Sequence, residues 1–170
     1  MSPAPEHRHV VVTGAMGVGK TTTAEALARR LARPRRDSDD DIEALFGVSG
    51  AELAARVGVD ELHRLESAVL LGALADERPS IIAAAGWVVE DPRCREALAR
   101  RATAVVLDAP AEALAARIST GDHRRPMDRS ELESLLARRE PLFDAVADLR
   151  LDATSPTPDL VTAILDHLGQ

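Results

Sequence analysis

Short apolar runs alternate with longer segments of helical spacing along this chain. The β-branched run His9 to Thr13 has strand length and stops at Gly14, where a glycine-rich stretch begins. From Lys20 to Leu31, Ala24, Leu27 and Leu31 recur at helical spacing, and Pro34 follows as a stop. Residues from Asp39 to about Asp76 read as short helices with turns at Gly47, Gly50 and Gly58. SIIAAA from Ser80 and TAVVLDA from Thr103 to Ala109 are two more strand-length runs, each followed by a helix-like segment. A helix from Pro110 to about Ile118, another from Ser130 to about Ala147, a strand in DLRLDA and an amphipathic helix from Thr157 to Leu168 complete the pattern. Strands alternating with helices predict a five-stranded parallel sheet flanked by helices on both faces, with any ligand at the strands' C-terminal edge. The weakest expectation is the second strand. Before Asp37 the chain reads ARPRR, without an apolar run, so this strand is either very short or replaced by a remodelled entry to the next segment.

A length of 170 residues suits one domain. We take 1–170 as a single unit, with a helical insertion over about 39–76 and a polar, Gly- and Pro-broken lid over about 119–129. Aromatics make up 2% of the residues, so the core must be built from Ala, Leu, Val and Ile. A formal charge of −7 argues against a nucleic-acid partner and favours a small-molecule substrate. No window approaches a membrane span. A single cysteine, Cys94, and an N-terminal MSPAPEHRH without an apolar stretch make a cytoplasmic location the expectation. His7, His9, His123 and His167 lack metal-ligand spacing, and no feature names a protein partner or an oligomeric state.

The chemistry concentrates in GAMGVGKTT, which carries the spacing GxxxxGK[ST] between a strand and a helix. Phosphates need backbone N–H groups turned inward and no side chains in the way. Gly14, Ala15, Met16, Gly17, Val18, Gly19, Lys20, Thr21 and Thr22 are therefore the candidate nucleotide-binding residues. Lys20 supplies a point charge for the outer phosphates, and the Thr21 hydroxyl is a candidate magnesium ligand. ATP and Mg2+ are the cofactors this implies.

Beyond the loop, RDSDDDIEALFGVSGAELAARVGVDELHRLESAVL, TAVVLDAPAEALAARIS, the RRP of the polar loop and LARREPLFDAVADLRLD follow one another as in the shikimate kinase family, which the chain resembles over nearly its whole length. The resemblance implies a P-loop, nucleoside-monophosphate-kinase-like fold with a mobile lid, and phosphoryl transfer from ATP to a hydroxyl of a small metabolite. It implies Asp37 near magnesium, Asp39 as the carboxylate that contacts and deprotonates the hydroxyl, Arg125 as the lid arginine with Arg124 beside it, and Arg117 near adenine. Without the resemblance, Asp39, Asp40 and Asp41 read equally as helix-start acids complementing the macrodipole.

The acceptor pocket departs from the family pattern. Of the features that hold the substrate carboxylate there, Arg139 is present, but His63 stands at the other arginine and Ala85, Gly86 and Trp87 replace a triple glycine. Histidine lacks the permanent charge and the planar fork of arginine. Trp87 either turns into the core or lines the site. The candidate substrate residues are Asp39, His63, Gly86, Trp87 and Arg139, and Arg139 keeps an anionic substrate in view. These departures imply an acceptor other than shikimate. The alternatives are an authentic shikimate kinase with a divergent pocket and an ATP-binding regulatory protein without transfer activity.

Overall fold

A computed structural model describes residues 7–119 and 128–170. Strand β1 (His9–Gly14) is buried throughout and lies at the centre of a parallel five-stranded sheet, between β3 (Ile81–Ala83) and β4 (Ala102–Asp108). β2 (Arg35–Asp37) and β5 (Leu149–Asp152) form the edges, giving the order β2-β3-β1-β4-β5. The register aligns Val12 with Ala83 and with Val105, so β1, β3 and β4 end together beneath one rim.

Alternation along β1 divides the core. Val10 and Val12 point to one face and pack with Leu27, Leu107 and Ile164, whereas Val11 points to the other and packs with Leu70, Leu98 and Cys94. The first face is covered by α1 (Lys20–Leu31) and α8 (Thr157–Leu168), and the second by α4 (Val59–Ala75) and α5 (Pro92–Arg101). Each fully buried Val or Leu contributes roughly 1.5–3 kcal/mol, which is how a core almost without aromatics holds three layers together. Phe143 is an exception, buried beside Val89 and Val106.

The second strand is the very short form of the expectation. Three residues suffice because β2 is an edge strand whose backbone pairs with β3 while its arginines are satisfied by acids just beyond it in the chain: Arg35 reaches Asp40 at 2.6 Å and Arg36 reaches Asp41 at 2.7 Å. The ladder needs no apolar run there. Asp37 then caps α2 (Ser38–Phe46), accepting from the Asp39 N–H at 3.0 Å. α3 (Gly50–Val57) opens with a capping box between Ser49 and Glu52. α6 (Ala111–Ser119) and α7 (Arg129–Val146) lie either side of the undescribed residues, and Asp128 and Glu131 form a second capping box at the start of α7.

One segment differs from the expected pattern. Gly86–Glu90 folds as a short 3-10 helix between β3 and α5, which makes the exit from β3 a compact turn at the sheet's C-terminal rim. Cys94 is fully buried. Among the described residues no helix is long and apolar enough to cross a membrane.

Candidate active site

The loop between β1 and α1 begins where backbone sterics leave no choice. Gly14 has φ +142°, and a Cβ there would lie 2.3 Å from the Leu107 carbonyl oxygen. Only glycine fits this approach. The Ala15 and Val18 side chains turn into the core, so these two positions offer a phosphate their backbones alone. Lys20 is the only lysine in the sequence. Its Nζ donates to the Gly14 and Ala15 carbonyls at 3.1 and 2.9 Å, which holds the ammonium over the loop. Thr21 and Thr22 stand exposed on the first turn of α1. Arg117, on α6, reaches the same loop from the other side, with its guanidinium 3.4 Å from the Gly17 and Val18 carbonyls and 3.2 Å from that of Ala153.

Two oxygens meet beside the loop. The Thr21 hydroxyl donates to Asp37 Oδ2 at 2.7 Å, and Asp37 is buried to 4% exposure. A hydroxyl and a carboxylate are hard donors of the kind magnesium takes from protein, with water and phosphate oxygens completing its shell. The donor set therefore fits Mg2+. Among the described residues no cluster of three or more His, Cys, Asp or Glu side chains could hold a metal. Asp39 is exposed on the first turn of α2, two residues from Asp37 and tied to it through its backbone. Asp40 and Asp41 are taken up by Arg35 and Arg36, which settles their role as structural partners of β2.

Of the candidate acceptor residues, Gly86 sits tightest. A Cβ there would be 2.7 Å from the Gly14 carbonyl oxygen and 3.5 Å from an Arg139 terminal nitrogen, so the loop after β3, the phosphate loop and α7 converge at this point. Ser38 secures the convergence by accepting the Ala85 N–H at 3.2 Å. Trp87 is half-buried and lies flat on His63, with ring centroids 3.9 Å apart and planes 5° from parallel. Through this stack Trp87 packs against α4, which carries His63. Burial, together with the Arg139 charge, pushes the His63 pKa below its usual value, so near neutrality the imidazole is uncharged.

Arg139 is present but not at liberty. Its Nε donates to Glu90 at 2.6 Å, and both side chains are largely buried, at 11% and 17% exposure. Arg138 approaches the same carboxylate at 3.3 Å from solvent. Burial alone would raise the Glu90 pKa, but the hydrogen bonds and charges of the two arginines outweigh it and hold the group ionised. Arg125 and Arg124, with residues 120–127 of the expected lid, lie outside the described residues.

Three site residues were not singled out from sequence: Ser38, Glu90 and Glu66. Glu66 follows His63 by one turn of α4 and is 9% exposed. The missing signal was its place at the end of the ELHRLE segment, on the same helix face as His63. Desolvation, and then the neighbouring Asp39 charge, raise its pKa to about 7 against the opposing pull of Arg139 and Lys20. In the folded protein the neutral acid is therefore favoured relative to the unfolded chain. Stability from this group is fully present below pH 4.5, the ordinary value, and is lost as pH rises through about 7. The loss is roughly 3 kcal/mol at most. Denaturant unfolding of wild type and Glu66→Gln from pH 4 to 8.5 should show a decline in the wild type that the variant lacks. Parallel curves would mean the carboxyl is solvated.

A family model described as shikimate kinase matches residues 16–169. The chain is 35% identical over 163 residues to a shikimate kinase of Chromobacterium violaceum, covering 92% of this chain and 88% of that one. It is 36% identical over 168 residues to a shikimate kinase of Rhodopirellula baltica, covering 93% and 89%. Among solved structures, the shikimate kinase of Acinetobacter baumannii in complex with shikimate superimposes with a TM-score of 0.87 at 27% identity, covering 94% of this chain and 91% of that one.

Proposed function

Because the chain belongs to the shikimate kinase family, and so is an ATP-dependent phosphotransferase acting on a hydroxyl, we propose that it phosphorylates shikimate itself, with Mg2+ as its metal. The observation that carries this is the match running from the phosphate loop to the last helix, at more than 30% identity to relatives named for that activity. It favours an authentic shikimate kinase with a divergent pocket over the expectation, drawn from His63 and Trp87, that shikimate is not the acceptor. The missing cation and the altered glycine turn stand within an otherwise collinear chain, and Arg139 remains beside Gly86.

In this reading each residue has a defined task. The backbone of Gly14 to Gly19 and the α1 N-terminus cradle the phosphates, and Lys20 turns its ammonium toward the transferring group. Thr21 and Asp37 would hold the metal, which when bound would neutralise charge on the phosphate oxygens. Asp39 orients the acceptor hydroxyl and takes its proton as the oxygen forms a bond to the γ-phosphorus and the bond to the β-phosphate oxygen breaks, releasing ADP. Arg139 and Gly86 line the acceptor, and Arg117 borders the nucleotide. Arg125, outside the described residues, takes the part the family resemblance implies, stabilising charge on the transferring group.

The test is ADP release from Mg-ATP with and without shikimate, in wild type and in His63→Arg. Shikimate should stimulate release at least about tenfold over background hydrolysis. Restoring a cation at position 63 should lower the KM for shikimate without changing that for ATP. No stimulation, with ATP binding intact, would overturn the reading. One observation favours a second reading, a different hydroxylated acceptor: the flat His63–Trp87 stack stands where the family resemblance implies a guanidinium and a bare backbone. Turnover on other polyols and not on shikimate would select it. ATP binding without transfer to any acceptor would select a regulatory role.

A further inference from the structure

We infer that Glu90 is a specificity-determining residue of the acceptor pocket, one that competes with the substrate's carboxylate for Arg139 and so weakens the enzyme's preference for anionic acceptors. The inference rests on the proposed acceptor site and adds to it a residue of this chain that the family resemblance does not assign.

The argument begins with position. Glu90 ends the 3-10 turn that starts at Gly86, so the same five residues carry the close backbone approach to the phosphate loop and the carboxylate that grips Arg139. Arg139 comes from α7, 49 residues away, and its guanidinium spans the gap: one nitrogen lies 3.5 Å from the Gly86 Cβ position and Nε bonds Glu90 at 2.6 Å. An acceptor anion arriving at Gly86 meets a cation whose charge is already balanced by a neighbour. The pair is mostly buried, so the two groups interact with less solvent screening than a surface pair, and the Glu90 charge opposes an incoming carboxylate.

The other groups facing this point do not replace the lost attraction. His63 is neutral near pH 7 and presents its ring to Trp87, and Glu66 lies buried on the same helix as a second acid. Arg138 contacts Glu90 from the exposed side and offers its charge to solvent, at 63% exposure. A guanidinium shared with an internal carboxylate, beside a flat ring pair, makes a pocket that takes the body of a hydroxylated ring while gaining less from its charge than an unopposed arginine would.

The test compares dissociation constants for shikimate and for its uncharged methyl ester, in wild type, Glu90→Gln and Glu90→Ser, by titration calorimetry with the full chain. Glutamine keeps a hydrogen-bond partner for Arg139 and removes the charge. Both variants should bind shikimate about tenfold more tightly relative to the ester than wild type does, with Mg-ATP affinity unchanged. A purely structural role would move acid and ester together, and an unchanged acid-to-ester ratio overturns the inference. Phosphoryl transfer to shikimate by the wild type is read separately. Its absence alongside a shifted ratio would remove the shikimate reading and leave the role of Glu90 standing. Binding of neither ligand by any of the three proteins would overturn both.

Discussion

Asp39→Asn is expected to lower kcat for phosphoryl transfer by about 10²–10⁴ while leaving Mg-ATP affinity within about twofold. The side chain is exposed on the first turn of α2, so its replacement empties no core and breaks no ladder. Its backbone N–H, not its carboxylate, makes the bond to Asp37, and asparagine keeps that bond and with it the Thr21–Asp37 pair. The amide can still touch a hydroxyl but cannot accept its proton at neutral pH. Single-turnover measurements with saturating nucleotide would separate the chemical step from product release. A variant with wild-type kcat would mean that Asp39 is one more helix-start acid, like its neighbours Asp40 and Asp41.

Lys20→Ala should be comparably damaging but with a different signature. Here nucleotide affinity and turnover are expected to fall together, with kcat/KM for ATP down by about 10²–10³ or more, because the ammonium contacts the phosphates both before and during transfer. Truncation also frees the Gly14 and Ala15 carbonyls that Lys20 Nζ engages at 3.1 and 2.9 Å. Both carbonyls belong to the turn leaving β1, and Gly14 is pinned from the other side by Leu107, so the loop has little room to collapse. Circular dichroism should remain that of the folded chain. Unchanged ATP affinity and hydrolysis in this variant would remove the phosphate-loop assignment altogether.

How much of this was legible in the sequence depends on the range of the interaction. The phosphate loop reads directly, because strand, glycines, lysine and hydroxyl are neighbours in the chain and each is required locally by the same ligand. The central strands read equally well, since burial on both faces forces continuous apolar runs such as HVVVTG and ATAVVLD. β2 did not, because an edge strand made of Arg35, Arg36 and Asp37 is stabilised by ion pairs and by its partner's backbone, neither of which leaves a hydrophobic signature. The turn Gly86–Glu90 escaped for a similar reason: Ser38 holds Ala85 just before it, Gly14 approaches Gly86 and Arg139 holds Glu90, all supplied from elsewhere.

The acceptor pocket was the least legible part. His63 and Trp87 each look like a loss when judged alone, a missing charge in one case and an added bulk in the other. Their stacking shows that the two changes are complementary, the larger ring occupying space beside the smaller, and the Glu90–Arg139 pair lies close by. Pairing of this kind is invisible along the chain because 24 and 49 residues separate the partners.

The confinement of lysine to position 20 bears on how nucleotide binding can be observed. Every other basic side chain in this sequence is an arginine or a histidine, so a reagent that acylates primary amines finds a single side-chain target, and that target lies on the phosphate loop. Mass added at Lys20, read from one peptide, is then a direct gauge of loop occupancy, falling as nucleotide covers the amine.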